Sequence, residues 1–226
     1  MLGAQLPGLV ECRRCQRLSR YIDTLPAKKR YARGDYWARP VPGFGDPKAR
    51  ICLVGLAPGA HGANRTGRPF TGDGAGDFMY PLLHRAGFAS QGEAVHAEDG
   101  LELNDLYITN AVKCVPPENK PKTDEFARCQ PYLDEELSSL THLRVVLLLG
   151  QGAYQSYLRL LKARGAIDRL SEYPFAHGRA FRPGDGPWVL ASYHTSRYNV
   201  QTGRITPAMF MDLLDQARQL AGPGQG

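Results

Sequence analysis

Four short apolar segments, each followed by a loop and then by a helical pattern, constrain the fold of this chain most strongly. The segments are "RICLVGL", "YITNAVKC", "RVVLLLG" and "WVLASYH". The helical patterns that follow them are "GDFMYPLLHRAG", "TDEFARCQPYLDEELSSL", "GAYQSYLRLLKARG" and "PAMFMDLLDQARQLA". Nearly continuous apolar strands are typical of burial on both faces, and strand–helix alternation is typical of a parallel sheet. We therefore predict an α/β fold in which a parallel sheet lies between helices.

The segments outside this alternation predict less regular structure. Residues 4–22, "AQLPGLVECRRCQRLSRYI", predict an amphipathic helix that starts or breaks near Pro7. The stretch "PAKKRYARGDYWARPVPGFGDPKAR" is rich in Pro, Gly and basic residues and predicts a long ordered loop. The last residues, 222–226 ("GPGQG"), predict a disordered tail.

Size and charge restrict the class of protein. A chain of 226 residues suits one domain, which we expect to cover residues 1–221. The 28 basic residues against 22 acidic ones give a net charge of +6, which is compatible with a polyanionic partner without requiring one. No run reaches the ~18 apolar residues of a membrane span, and the first residues lack the basic-then-apolar order of a signal peptide. We therefore expect a cytoplasmic protein with no membrane partner.

The loop after the first strand is rich in glycine but begins with chemically inert side chains. It reads "GLAPGAHGANRTGRPFTGD" over residues 55–73, and ligands of a parallel sheet bind where such loops leave the carboxyl ends of the strands. Glycine permits close backbone approach, while Arg65 and Arg68 supply positive charge. Phe70 offers a flat apolar face to a ligand, or alternatively packs into the core beneath the loop. Asp73 could act in chemistry or could cap the helix that starts near Gly76.

The loops after two other strands carry polar side chains to the same predicted edge. Asn110 ends its strand, and an amide there can read the edge of a nucleobase because it both donates and accepts hydrogen bonds. Pro116 and Pro117 would hold Asn119 stiffly, although asparagine is also common in ordinary turns. His194 is the one histidine of six at the predicted carboxyl edge. The polar loop that follows it suits a nucleic-acid backbone and the stacking of bases, through Arg197, Tyr198 and Asn199.

Five cysteines in a reducing compartment do not indicate a disulfide framework. Cys52 lies inside a strand, where a thiol is usually a small buried apolar group. The other four, Cys12, Cys15, Cys114 and Cys129, suit either tetrahedral zinc or an iron–sulfur cluster. The wide spacing of the second pair is unlike a zinc ribbon, and the remaining alternative is four unrelated buried thiols. A metal here would have a structural role, tying the N-terminal helix to the sheet.

Together these segments resemble the uracil-DNA glycosylase superfamily, and most closely its family 5 (type B) enzymes. The resemblance covers nearly the whole chain and is carried by the early CxxC, "YWARPVPGFGDP", "GLAPGAHGANRTGRPFTGD", "TNAVKC" with "PPENKP", and "SYHTSRYN" with "QTGR". It implies a three-layer α/β/α sandwich with a central four-stranded parallel sheet. It also implies a 4Fe–4S cluster whose ligand positions fall on Cys12, Cys15, Cys114 and Cys129.

The resemblance further implies a monofunctional enzyme that flips uracil out of double-stranded DNA and hydrolyses its N-glycosidic bond, leaving an abasic site. Hypoxanthine and xanthine are implied as further substrates, and we expect a monomer. The alternative is a nucleic-acid-binding protein that has a structural metal and no catalytic activity. The family type implies an apolar first motif, as in this chain, and hence a reaction driven mainly by departure of the base.

The implied roles fall on three groups of residues. The catalytic group comprises His194 as the donor to the leaving base, Asn119 as the holder of the water and Asp73 in support. The substrate group is Gly55, Ala57, Pro58, Gly59, Phe70 as the stacking ring, and Asn110 as the reader of the base edge. The DNA-contacting group is Arg65, Arg68, Arg197, Tyr198 and Asn199.

Overall fold

A six-stranded sheet organises the chain in the computed structural model, which describes residues 6–223. The strands are β1 (Phe44–Gly45), β2 (Ile51–Gly55), β3 (Leu106–Asn110), β4 (Val145–Leu149), β5 (Ala180–Phe181) and β6 (Trp188–Ser192). Their spatial order is β1-β3-β2-β4-β6-β5. The four central strands are parallel, which confirms the predicted four-stranded parallel core. The two-residue strands β1 and β5 add antiparallel edges that were not predicted.

Helices cover both faces of the sheet. They are α1 (Gln16–Thr24), α2 (Ala63–Thr66), α3 (Gly74–Arg85), α4 (Thr123–Ser139), α5 (Gly150–Ala163), α6 (Arg197–Gln201) and α7 (Pro207–Ala221). Alternate strand residues point to opposite faces. Leu53 and Leu147 pack with residues of α3 and α7, whereas Val54 packs with residues of α4 and α5. The three-layer α/β/α sandwich is therefore confirmed.

The N-terminal helix is shorter than predicted. It begins at Gln16 rather than near Pro7, and Cys15 is the residue that precedes its first turn. Pro7 has no N–H to donate and Gly8 has a φ of +73°, so the described residues before Cys15 form turns and extended chain instead. Cys12 therefore lies in this non-helical segment, and Cys15 at its end is the N-cap residue of α1.

The end of the chain is partly ordered. Gly222 accepts a hydrogen bond on its carbonyl oxygen from Arg50 Nη1 at 2.6 Å, so the predicted disorder is wrong for that residue. Residues 224–226 of the predicted tail lie outside the described residues. Within the described chain, no helix combines the length and the apolar character that a bilayer crossing requires.

Candidate active site

A cavity of about 560 Å³ opens at the carboxyl edge of the sheet, where the sequence places its candidate site. The loops after β2, β3 and β6 form its walls. The predicted residues that line it are Ala57, Gly59, Phe70, Asp73, Asn110, Asn119, His194 and Arg197. Gly55 and Pro58 are buried behind this lining. Residues far apart in the sequence thus meet in one place, as the fold predicts.

Phe70 and Asn110 form one side of the cavity and depend on the absence of a side chain at Gly55. A Cβ at Gly55 would lie 2.5 Å from Phe70 Cζ and would also collide with Asn110 Oδ1. Phe70 has a φ of +54°, which an L-residue rarely adopts. Its ring is 7% exposed and packs into the core beneath the loop, so Phe70 is both a core residue and a wall of the cavity.

The amide of Asn110 is positioned to bind something polar. Its side chain is 3% exposed, and Oδ1 has no hydrogen-bond partner among residues 6–223. An unsatisfied buried acceptor costs roughly 1–3 kcal/mol, which a ligand with a matching donor would offset. An amide beside an aromatic ring suits a flat molecule with both N–H and C=O groups on its edge.

His194 follows the end of β6 and faces Phe70, with ring centroids 6.3 Å apart and planes inclined by 34°. Burial lowers the pKa of His194 below its ordinary value, so the imidazole is neutral near pH 7. The His194 carbonyl accepts a hydrogen bond from Asn199 Nδ2 at 2.8 Å. On its other side, a Cβ at Gly150 would lie 3.1 Å from His194 Cβ. The backbone of His194 is thus held by Asn199, and its neutral imidazole lines the cavity.

Asp73 confirms the capping alternative and also lines the cavity. Its Oδ1 accepts hydrogen bonds from the N–H groups of Ala75 and Gly76, each at 3.1 Å, and so caps α3. Its other oxygen faces Gly59 and Gly62, where any side chain would collide with it. Burial raises the pKa of Asp73, while the two backbone hydrogen bonds lower it. One carboxylate oxygen therefore remains for the cavity.

Asn119 lies in a tight turn at the rim of the cavity, in agreement with the prediction of a turn residue. Glu118 and Asn119 have φ values of +55° and +56°. Non-glycine residues pay about 1–2 kcal/mol in this left-handed region, and such strain is concentrated at functional sites. The Asn119 N–H bonds to the Pro116 carbonyl at 3.3 Å, and its side chain is exposed to the cavity.

The predicted DNA contacts divide into accessible and inaccessible groups. Arg197 lines the cavity, and Tyr198 beside it is 71% exposed. Arg65 is half-buried, donates to the His61 carbonyl at 3.1 Å and covers the Tyr31 ring. Arg197 and Tyr198 therefore remain placed for a ligand at the mouth, whereas Arg65 lies outside the cavity lining.

Two of the residues predicted to contact DNA instead form hydrogen bonds within the protein. Arg68 is fully buried and forms a bidentate pair with Asp99, at 2.8 and 2.6 Å, so the prediction that it contacts DNA is wrong. Its guanidinium holds the pKa of Asp99 well below the ordinary range, against the opposing effect of burial. The Asn199 amide nitrogen binds the His194 carbonyl, which makes Asn199 a support of the loop rather than a free contact.

Two cations and a histidine at the cavity were not predicted to line it. Lys28 and Arg30 come from the long loop before β1 and are exposed on the rim. His61 lines the same wall, and its Nδ1 lies 2.9 Å from the Tyr36 hydroxyl. Burial, and then the charges of Lys28 and Arg30, lower the pKa of His61. The alternation of basic and aromatic residues in "AKKRYARGDYW" is the sequence feature that could have indicated a binding role for this loop.

The four cysteines outside the sheet line one separate pocket. All are free thiols, and the Lys113 N–H donates to Cys129 Sγ at 3.2 Å. Burial, followed by the neighbouring thiols, raises the pKa of Cys114, and burial raises that of Cys129 to about 11. Among residues 6–223, no set of three or more ligating side chains is arranged for one metal ion. Four ligands around a single zinc ion lie within about 4 Å of one another, because Zn–S bonds are about 2.3 Å.

Comparison with known proteins relates the chain to one family. A family model described as "Uracil DNA glycosylase superfamily" matches residues 42–218. A Type-5 uracil-DNA glycosylase of Thermus thermophilus is 49% identical over 215 residues, covering 95% of each chain. A Type-5 uracil-DNA glycosylase of Mycobacterium bovis is 44% identical over 214 residues, covering 93% of this chain and 78% of its own. A Type-4 enzyme of Sulfurisphaera tokodaii is 38% identical over 112 residues, covering 49% of this chain and 44% of its own.

Proposed function

Because the chain belongs to the uracil-DNA glycosylase superfamily, we propose that it excises uracil from DNA by hydrolysing the N-glycosidic bond. The proposed product is an abasic site. The observation that carries the proposal is the meeting of a neutral His194, the Phe70 ring and the unsatisfied Asn110 amide in one cavity. These are the groups needed to hold a flat, polar base and to stabilise its departure.

Binding of the base follows from the Phe70 and Asn110 wall. A uracil turned out of the duplex would place its face against Phe70. Its N3–H would donate to Asn110 Oδ1, the acceptor that otherwise lacks a partner, while the amide nitrogen would donate to O4. Turning a base out costs a few kcal/mol and is easiest where the base is mispaired, which favours deaminated bases.

Departure of the base depends on His194. As the C1′–N1 bond breaks, its electron pair goes to the base and negative charge appears on O2. A neutral imidazole N–H aimed at that oxygen stabilises the transition state, an effect typically worth about 3–4 kcal/mol. The residues Leu56–Ala60 at the start of the first loop carry no carboxylate that could drive water at the sugar. The chemistry therefore relies on the leaving group.

Two other residues of the cavity lining, Asn119 and Asp73, would assist the capture of the positively charged sugar. The Asn119 amide oxygen would accept a hydrogen bond from the attacking water. The free oxygen of Asp73 would stabilise positive charge on the sugar. Water adds to C1′ and releases one proton. The departing base anion takes up one proton, so the reaction causes no net change in protons.

We also propose that hypoxanthine and xanthine are substrates in double-stranded DNA. The cavity has a volume of about 560 Å³, and Leu56–Ala60 at the start of the first loop carry no acidic side chain that would restrict entry. The test is a panel of duplexes that carry uracil, hypoxanthine, xanthine or thymine opposite guanine. Treatment with the protein and then with hot alkali is expected to break the strand at the first three bases. Binding with no breakage anywhere would instead favour a non-catalytic nucleic-acid-binding protein.

Lys28 and Arg30 are expected to bind DNA phosphates at the cavity mouth. Both are exposed, and neither forms an ion pair within the described chain. The double change Lys28→Ala/Arg30→Ala should weaken DNA binding for every sequence and lower the salt dependence of log Kd by about 2. The readout is Kd for a duplex at several salt concentrations.

The matched control removes two cations at the far ends of helices that begin at the cavity. Arg85 ends α3, and Lys162 lies in the last turn of α5. Arg85→Ala/Lys162→Ala should leave the salt dependence unchanged. An equal decrease in both double variants would show that only the overall charge matters.

We propose that Cys12, Cys15, Cys114 and Cys129 hold a 4Fe–4S cluster. The observation that supports the fit is that all four thiols line one pocket. In such a cluster each cysteine binds a different iron, so no close single-ion set is required. When bound, the cluster would cross-link the segment before α1 to the loop after β3 and to α4. We assign it a structural role and no step of the reaction.

A further inference from the structure

Arg17 joins the N-terminal helix to the loop that carries Asn119. From α1, its Nε donates to Glu125 Oε1 at 2.7 Å and its Nη2 donates to Glu125 Oε2 at 2.6 Å. The same Nη2 donates to the carbonyl oxygen of Lys120 at 3.0 Å. Lys120 is the residue directly after Asn119. One guanidinium therefore binds both α4 and the rim of the cavity.

Glu125 also holds the loop through its backbone. We call the Arg17–Glu125 pair, together with its contacts to the backbone at Lys120 and Lys122, the clamp. The Glu125 side chain is buried, and Oε2 also accepts the Lys122 N–H at 2.7 Å. The loop is thus held at Lys120 by Arg17 and at Lys122 by Glu125. Planar bidentate pairing of this kind fixes geometry more tightly than a single ion pair.

The loop requires such a restraint because its backbone is strained. Glu118 and Asn119 both occupy the left-handed region, which an isolated loop would leave. Within the described chain, the Asn119 side chain forms no hydrogen bond that could hold it in place, so its position depends on the backbone. Displacement of a reacting group by about 1 Å can cost on the order of 100-fold in rate.

Both residues of the clamp are close in sequence to cysteines of the thiol pocket. Arg17 is two residues after Cys15, and Glu125 is one helical turn before Cys129. It therefore connects the segments that hold the thiol pocket to the rim of the cavity.

We propose that Arg17 is a positioning residue for excision: the clamp holds the backbone at Lys120 so that Asn119 faces the attacking water. This inference rests on the proposed function, in which Asn119 holds that water. Arg17 itself does not line the cavity and touches no substrate. Its effect must therefore pass through Asn119.

A double-mutant cycle tests this dependence. Single-turnover excision of uracil from a duplex is measured for the parent, Arg17→Met, Asn119→Ala and the double variant. We expect Arg17→Met to be about 10- to 100-fold slower, with Kd for DNA within about twofold of the parent. The double variant should be no slower than Asn119→Ala alone, because in this proposal the clamp affects the reaction through Asn119.

Two further variants separate positioning from folding. Arg17→Lys keeps a charge beside Glu125 but loses the planar fork, so it should fold normally and still be slow and non-additive with Asn119→Ala. Arg13→Met removes an exposed pair with Asp23 from the same N-terminal segment and should excise at the parent rate. Because the proposed iron–sulfur cluster would absorb visible light, the absorbance of each variant reports whether the cluster is retained.

The outcomes are distinguishable. Losses that multiply in the double variant would overturn the inference and make Arg17 merely structural. Parent-like rates for Arg17→Met and Arg17→Lys, with Asn119→Ala slow, would also overturn it while leaving the proposed function in place. A parent-like rate for Asn119→Ala would overturn the water-holding assignment and the inference together.

Discussion

Replacing His194 by alanine should slow excision of uracil about 100- to 1,000-fold, the usual effect of removing one donor from a developing oxyanion. DNA binding should change little, because the imidazole contacts the base only after it has left the duplex. His194 is positioned at the cavity by Gly150 and by Asn199, and its ring faces Phe70. The measurement is the single-turnover rate beside Kd for a uracil duplex. Equal losses in rate and affinity would contradict a role in the chemical step.

The pH profile distinguishes the two forms of the imidazole. Because burial lowers the pKa of His194, the neutral form predominates above about pH 6.5, the ordinary value. The rate should therefore stay level as the pH rises from there, whereas an imidazolium donor would lose about tenfold per pH unit. His142→Ala, which changes an exposed histidine in a loop at the opposite edge of the sheet, is the control and should match the parent.

Replacing Cys114 by serine should have the largest effect on stability. In the proposed cluster, Cys114 links the loop after β3 to the segment before α1, about a hundred residues away in the sequence. Metal binding contributes directly to the folding free energy, so loss of one ligand should lower the free energy of unfolding by more than about 3 kcal/mol. The visible absorbance of the protein should fall with it. Denaturant unfolding and an absorbance spectrum measure both.

Cys52 provides the matched control. It is fully buried in β2 and packs against the α4 and α5 face, away from the four-thiol pocket. Cys52→Ala should cost about 1 kcal/mol of packing and leave the absorbance unchanged. A fully stable and colourless Cys114→Ser protein, prepared beside a colourless parent, would contradict the metal proposal.

The sheet core could be predicted because its signal is local. Four apolar runs have the length of buried strands, and each helical pattern between them is long enough to show its period. The edge strands β1 and β5 have only two residues each, too few for any alternation to be visible. The start of α1 was predicted too early because its apolar residues continue into turns, where Leu6 and Leu9 are buried without being helical.

Site residues at the ends of strands could be predicted from the sequence. Residues whose position depends on an ion pair with a distant part of the chain could not. His194 and Asn110 follow directly from the carboxyl ends of β6 and β3. Arg68 was misassigned because its partner Asp99 lies 31 residues further along, and nothing in the local sequence indicates that the pair is buried. Lys28 and Arg30 reach the cavity only because their loop folds back over it, which no periodic pattern could reveal.

In the proposed reaction, His194 stabilises the departing base, and Leu56–Ala60 at the start of the first loop carry no carboxylate that could drive the water. The most direct measurement compares the parent with His194→Ala on uracils whose C5 substituents make N1 increasingly acidic. A base that leaves easily needs less help, so the ratio of the two rates should shrink steadily along the series. A ratio that stays constant from uracil to the most acidic base would contradict the claim.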